Sequence, residues 1–282
     1  GLTDAHYQRG HMLTAFEQVD ACIKLADAHD LYRVRQDHLP MRAITQLFLA
    51  RPHEALADAK MAAEEAAAIG NARGELLASN VAAMVHLYKG EWSESLEQTG
   101  RSLELCRRLG ARRFESDNLG LVAITNYRLG RQQAAEAGIA EVFGNTPEAD
   151  LLYGGPTLLG FWAVITEDRE TRSWALREGE ALLAKGCVSH CHIQFYEAAI
   201  EACHGEGDWD NMERHASALA AWSAGEPFPW AEFLVAAGRA LATHGRDPSD
   251  QAAAAELARL SEGARANGFG RHVWRALQPK GS

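Results

Sequence analysis

The sequence predicts an all-α chain assembled from consecutive helix pairs, and three observations predict it. Ala is abundant while Pro, Thr and Ile are scarce, a bias toward residues that lose little rotamer freedom in a helix. Gly10, Ala50, Gly90 and Gly130 stand 40 residues apart, each opening similar text: "GHMLTAF", "ARPHEAL", "GEWSESL", "GRQQAAE". Midway between them, Asp30, Gly70 and Gly110 close the segments "ACIKLADAHD", "KMAAEEAAAIG" and "LELCRRLG", where a left-handed residue ends a helix. Each period is therefore two helices joined by a tight turn.

Taken in order, the first helices of the pairs are expected over 1–9, 35–49, 72–89, 112–129, 155–166, 189–205 and 229–244. The second helices are expected over 12–29, 53–69, 92–109, 131–143, 169–185, 209–224 and 249–267, and "RHVWRAL" at 271–277 closes the end. Residues 1–282 thus read as one array with units 1–30, 31–70, 71–110, 111–150, 151–186, 187–225 and 226–268, then a capping segment 269–282. Small residues recur seven positions before each turn (Thr3, Ala43, Ala83, Ala123, Gly160, Gly238) and five after it (Ala15, Ala55, Ser95, Ala135). They let the paired helices approach closely. Arg172 and Ile200 break the rule in the fifth and sixth units. The chain opens on Gly1, as an excised piece would, and Leu2 and Tyr7 are expected to lack the preceding helix that should cover them.

The 40-residue recurrence, with "GEWSESL" where Gly-Asp-Tyr-x-Glu-Ala is usual, resembles the tetratricopeptide repeat in a long-period form. That resemblance implies a right-handed superhelical solenoid of about seven pairs, an alpha-alpha superhelix. The second half has a narrower likeness. Val188, Ser189, His190, His192, Phe195 and Tyr196, followed by Glu226, Pro227, Pro229 and Trp230, resemble the C-terminal repeat region of large bacterial adenylate/guanylate cyclase proteins with an AAA-type ATPase module. Cys191 departs from that pattern, where a polar residue is expected. The likeness covers roughly residues 50 to 250 and none of the catalytic domains of such proteins.

Charge and motifs exclude several function classes. A net charge of -10 with only five lysines opposes nucleic-acid binding, which needs clustered cations. The longest uncharged run, Leu151 to Thr166, carries Gly-Gly-Pro and falls short of the roughly 18 apolar residues of a membrane span. Five cysteines without paired spacing suit free thiols in a reducing cytoplasm. Gly-Lys never occurs, so a phosphate-cradling loop is absent, as are Gly-x-Ser-x-Gly and His-Glu-x-x-His.

One stretch, "KGCVSHCHIQFY" from Lys185 to Tyr196, invites a metal reading. With Ser189 as an N-cap, His190, Cys191 and His192 fall in a first helical turn and point to different sides, so one ion cannot readily use all three. Cys203 lies 11 residues beyond His192, about 16 Å of helical rise away. The expectation is a helix start with no metal and no cofactor. His86 reads as a packed residue, "EPFPWAEF" as a helix start with Trp230 and Phe233 turned inward, and Glu206, Asp208 and Asp210 as solvated caps.

Stacked pairs curve, and the first helix of each lines the concave side. The register places Asn80, Met84, Leu87, Tyr88, Asp117, Ile124, Tyr127, Arg128, Gln194, Glu197, Glu201 and Arg239 there. The expected function is a non-enzymatic interaction module that holds a peptide or protein segment in this groove. In a cyclase-like parent that partner includes the parent's own catalytic domains. The alternative is a sensor of a small effector in the same groove, and an enzymatic reading would require a catalytic metal on the Cys/His cluster.

Overall fold

The computed structural model describes residues 1–145 and 148–270, with residue 145 and residues 148–152 given by backbone alone. The closing helix expected at 271–277 lies outside the described residues. Those residues form fourteen helices and no strand. They are α1 (Leu2–Gln8), α2 (Met12–Ala28), α3 (Tyr32–Phe48), α4 (Pro52–Ala68), α5 (Ala72–Lys89), α6 (Trp92–Leu109) and α7 (Arg112–Arg128). There follow α8 (Gln132–Asn145), α9 (Glu148–Ile165), α10 (Arg169–Lys185), α11 (Ser189–Glu206), α12 (Trp209–Ser223), α13 (Pro229–Arg246) and α14 (Gln251–Ala266).

The expected periodicity is written into the backbone. Left-handed residues fall at Gly10, Asp30, Ala50, Gly70, Gly90, Gly110 and Gly130, one every twenty positions, and each ends a helix. Asp30 and Ala50 adopt this conformation without glycine's freedom, at φ 54° and 60°. The small positions do what their size suggests: Ala15, Ala43, Ala55, Ala83, Ser95, Ala123 and Ala135 are all fully buried between helices. Consecutive helices pack side by side from α1 to α8. Charged groups lock some of these pairs, as where Arg42 reaches Asp58 at 2.6 and 2.8 Å and Asp20 at 3.1 Å, joining α3 to α4 and α2.

Two differences from expectation matter. The row changes step at its middle, where α9 packs on both α10 and α11 while α10 touches α11 only lightly. Gly160 permits this, since a Cβ there would lie 3.0 Å from Ala198 Cβ and 3.3 Å from Phe195 Cα. Arg172, the large residue at an otherwise small position, donates to the carbonyls of Ala163 and Thr166 and so caps the end of α9.

The second difference concerns overall course. In place of one elongated apolar spine, the row bends until its ends meet. The largest hydrophobic cluster joins Met12, Phe48 and Val85 from the early helices to Ile193, Leu219, Phe228 and Trp230 from the late ones. Ser189 donates its hydroxyl to the carbonyl of Tyr7, and His190 stacks on the Tyr7 ring, so Tyr7 is covered by α11. Leu2 remains exposed. Gly10, at φ +83°, lies under Trp222, where a Cβ would stand 2.6 Å from the indole. Beyond α14, Phe269 stacks on Trp230 at 4.5 Å and Gly270 N–H donates to the carbonyl of Tyr88.

The α2 N-terminus shows how closely the ends depend on each other. His11, its N-cap, offers no side-chain bond. Glu226 supplies it instead from more than two hundred residues away, accepting from the N–H groups of Leu13 and Thr14 at 2.8 and 3.1 Å and from the Thr14 hydroxyl at 2.5 Å. Replacing it, Glu226→Ala, is expected to lower stability by about 1–2 kcal/mol. A urea titration followed by far-ultraviolet circular dichroism checks this, and an unchanged midpoint would show that the contact is dispensable.

Candidate functional site

The returning row borders a cavity of about 730 Å³, walled by α1, α2, α3, α5, α7, α9 and α11. All of these but α2, which adds Gln18 and Cys22, are the first helices of successive pairs. Asn80, Met84, Asp117 and Gln194 line it, in agreement with the sequence register. Asn80 donates to Asn118 Oδ1 at 3.2 Å, and Gln194 accepts from the Thr157 hydroxyl at 3.0 Å while donating toward the Met84 sulfur.

Four other expected positions lie in a narrow recess together with Leu87 and Ile124. Here Tyr88, Arg128, Glu197 and Glu201 are committed to bonds within the protein. Tyr88 donates to Glu197 Oε2 at 2.5 Å, and the Trp230 indole N–H donates to the same oxygen at 3.3 Å. Arg128 forms a two-pronged ion pair with Glu201, one prong at 2.6 Å. Burial alone would make the guanidinium easier to deprotonate, but Glu201 overcomes this and raises its pKa. Glu197 is pushed up to about 7 by burial, with its two hydrogen bonds pulling the other way. The remaining two lie elsewhere: Tyr127 packs against the cluster built on α7–α9 and lines neither space, and Arg239 is exposed on α13.

The cavity holds groups that register reasoning missed. Tyr7 and His190 stack at 5.8 Å, and Tyr153 meets His190 edge-on at 5.8 Å. The Arg113 guanidinium lies 3.8 Å over the Tyr153 ring. Arg73, Phe114 and Phe161 complete the lining used below. Arg73 and Arg113 had a readable signal, because they occupy the same place in consecutive units, 40 residues apart. Tyr7 and Tyr153 had none, since one sits in the atypical first pair and the other in the stretch where the repeat shifts.

Burial pushes Asp117 up to about 7, opposed only by the field of Arg113. Burial, then Arg113, holds His190 down to about 4, so its imidazole is neutral, and its Nδ1 has no hydrogen-bond partner. The neighbouring cluster spreads as its spacing implied. Cys191 donates to the Tyr153 carbonyl at 2.8 Å, and His192 stacks on Trp222 at 4.8 Å. The cap differs from expectation: Val188 is the N-cap, and Ser189 is spent on Tyr7. Cys187 is lowered by hydrogen bonding to Cys191. Among the described residues no three His, Cys, Asp or Glu side chains gather as a metal site, and all five cysteines are free thiols. Elsewhere His86 is buried with Nδ1 2.6 Å from Glu91, and Glu206 and Asp210 pair with Arg169, Arg172 and Arg246.

No family model matches this chain, and no curated protein matches it. Among the described residues no helix is long and apolar enough to cross a membrane.

The Glu197 recess yields a pH test. An acid raised from 4.5 in the unfolded chain to about 7 takes up a proton on folding. Its contribution is most favourable below 4.5 and is lost as pH rises through about 7. Glu197→Gln keeps an oxygen for Tyr88 and Trp230 and removes the charge. It is expected to stabilise the protein at pH 8 by on the order of 1 kcal/mol and to have little effect at pH 5. Urea midpoints at both pH values check it; equal effects at the two would contradict the assignment.

Proposed function

We propose that this chain is a non-catalytic recognition module that receives a small ligand in the cavity between its returning helix pairs. One observation carries the reading: a bounded space of about 730 Å³ lies where the concave surface was expected. That volume is typical of sites for molecules of metabolite size, whose apolar walls bury the ligand while a few polar groups orient it. The small-effector alternative thus fits better than an extended segment, because Tyr88, Arg128, Glu197 and Glu201 are occupied with one another below the cavity. A non-catalytic reading is supported by Ser189 and Cys191, the two nucleophiles flanking His190 in sequence, each of which is bonded to a carbonyl.

The tetratricopeptide-like, right-handed superhelical form belongs to this reading, supported by the twenty-residue spacing of left-handed turn positions. So does a place in a cyclase-like signalling parent, supported by the motifs around Val188 and Glu226. In such a parent, occupancy would favour one packing of α1 on α11 over another and so bias the catalytic domains. Five free thiols support a cytoplasmic setting. A second reading, a scaffold for a protein partner, is favoured by Leu31, Tyr32 and Val34, which are exposed at the start of α3.

A cavity ligand at a hundred times its dissociation constant contributes about 2.7 kcal/mol, or roughly 5–10 °C in melting temperature for a chain of this size. A thermal-shift screen with amino acids, sugars and nucleotides is expected to give such a shift with one class. Met84→Trp, which places a bulkier ring at the cavity wall, is expected to reduce it. A ligand that stabilises both proteins equally binds elsewhere and refutes the proposal.

A further inference from the structure

Building on the cavity as a ligand site, we infer that it takes a zwitterion with an apolar body, an α-amino acid or short peptide. Its carboxylate would meet Arg73 and Arg113, and its ammonium Asp117.

The cations come first. Arg73 and Arg113 are the second residues of α5 and α7, repeat-equivalent positions on neighbouring first helices, so their guanidiniums stand at one level of the cavity. Both are exposed toward its mouth, and among the described residues neither has a carboxylate within ion-pair distance. The acids that share the mouth are engaged elsewhere. Asp4 binds the Gly1 amine at 2.6 Å, and Asp37 accepts from Asn71 Nδ2 at 3.2 Å. Arg113 is held by its ring face on Tyr153, a contact that leaves its N–H donors available for an anion. Two such forks suit a carboxylate.

Asp117 is the counterpart. It stands four residues beyond Arg113 on α7, about 6 Å deeper along the helix. Its Oδ1 lies against the backbone of Gly154, where a Cβ would overlap it. No hydrogen-bond donor among the described residues reaches this carboxyl, although it faces the cavity. This carboxyl is half-buried at the cavity wall, and an ammonium there supplies both an opposite charge and three N–H groups. The rings of Tyr7, Phe114, Tyr153 and Phe161 surround the same region and favour a cation over water.

The rest of the wall, including Met41, Ile44, Val81 and Leu158, is apolar and receives a side chain. A phosphate-bearing ligand would set its charge against Asp117. A sugar would hydrogen-bond these groups but offer no charge to balance theirs.

Asp117 also gives the inference a proton signature. The ionisable groups facing it are Arg113 on α7, Cys106 on α6, Tyr153 on α9, Tyr7 on α1, and His190 and Cys191 on α11. With its carboxyl raised to about 7, binding of an ammonium must expel a proton at lower pH. Affinity then weakens toward tenfold per pH unit below about 7 and is level above it until the ligand's own ammonium loses its proton, at about pH 8 for a dipeptide.

The test is calorimetric titration at pH 6, 7 and 8 with L-leucine, L-phenylalanine and the dipeptide Leu-Phe. N-acetyl-L-phenylalanine, which lacks the ammonium, and L-phenylalaninamide, which lacks the carboxylate, are run alongside. A zwitterion should bind, with each capped form at least tenfold weaker. The tighter of free amino acid and dipeptide identifies the source. Asp117→Asn should abolish the penalty for acetylation and the pH dependence, and Arg113→Gln should reduce the penalty for the amide. The capped-ligand comparison on the unmodified protein stands even if a variant fails to fold. Equal binding of capped and uncapped forms, or no heat from any of the three zwitterions at millimolar concentration, overturns the inference. A sugar or nucleotide whose binding Met84→Trp weakens would overturn it while leaving the cavity reading intact.

Discussion

The constraint on which this structure depends is the seam where the two ends of the helix row share a core. A helix pair has two faces to bury, and interior pairs bury both on their neighbours, but the end pairs each have one face without a neighbour. Here the early and late helices meet instead, α1 against α11 and α3 against α13. Trp230 is the centre of the seam, stacked on Phe233 and Phe269 at 4.9 and 4.5 Å and met edge-on by Tyr88 at 5.4 Å. Its indole N–H, which would be an orphan donor in an apolar core, is accepted by Glu197. Without the seam there is no bounded cavity, because α1 is seven residues long and reaches the cavity only by leaning on α11.

What was legible in the sequence was the local part of this architecture. Helix limits for α5, α6 and α10 match the spacing to the residue, because glycine and capping residues punctuate the chain wherever a helix stops. The start of α9 was placed seven residues late, since Gly-Gly-Pro at 154–156 reads as a breaker, yet Pro156 sits within the helix. The seam itself was illegible. It joins residues such as Thr14 and Glu226, whose pairing repeats at no period and leaves no signal in either segment. The register still carried Gln194, Glu197 and Glu201 of α11 to the inner side across the change of step at α9–α11, whereas Tyr127 and Arg239 line neither space.

The two deep carboxyls show how one physical cost is met in different ways. Glu197 and Asp117 are both raised to about 7 by burial. Glu197 receives two hydrogen bonds from the protein and helps to tie α5, α11 and α13 together. Asp117 receives none among the described residues and feels Arg113 only through space. Folding has satisfied the first and left the second to the cavity. A buried acid left so is a poor structural element and a good recognition element, since its desolvation cost is relieved when a cation arrives.

Helix α11 connects these two sites. His190 and Gln194 face the cavity, while Ile193 enters the seam and Glu197 binds Tyr88 and Trp230. Residues at i and i+3 or i+4 share a face, so the line from His190 through Ile193 and Gln194 to Glu197 runs continuously along one side of the helix. A rigid helix cannot shift one end of such a line and leave the other in place. Any movement of α11 that improves contact with a cavity ligand must therefore be accommodated at Trp230, where tight ring packing admits discrete rearrangements more readily than gradual ones. On the proposed reading, occupancy of the cavity would therefore be coupled through this one helix to the packing at Trp230.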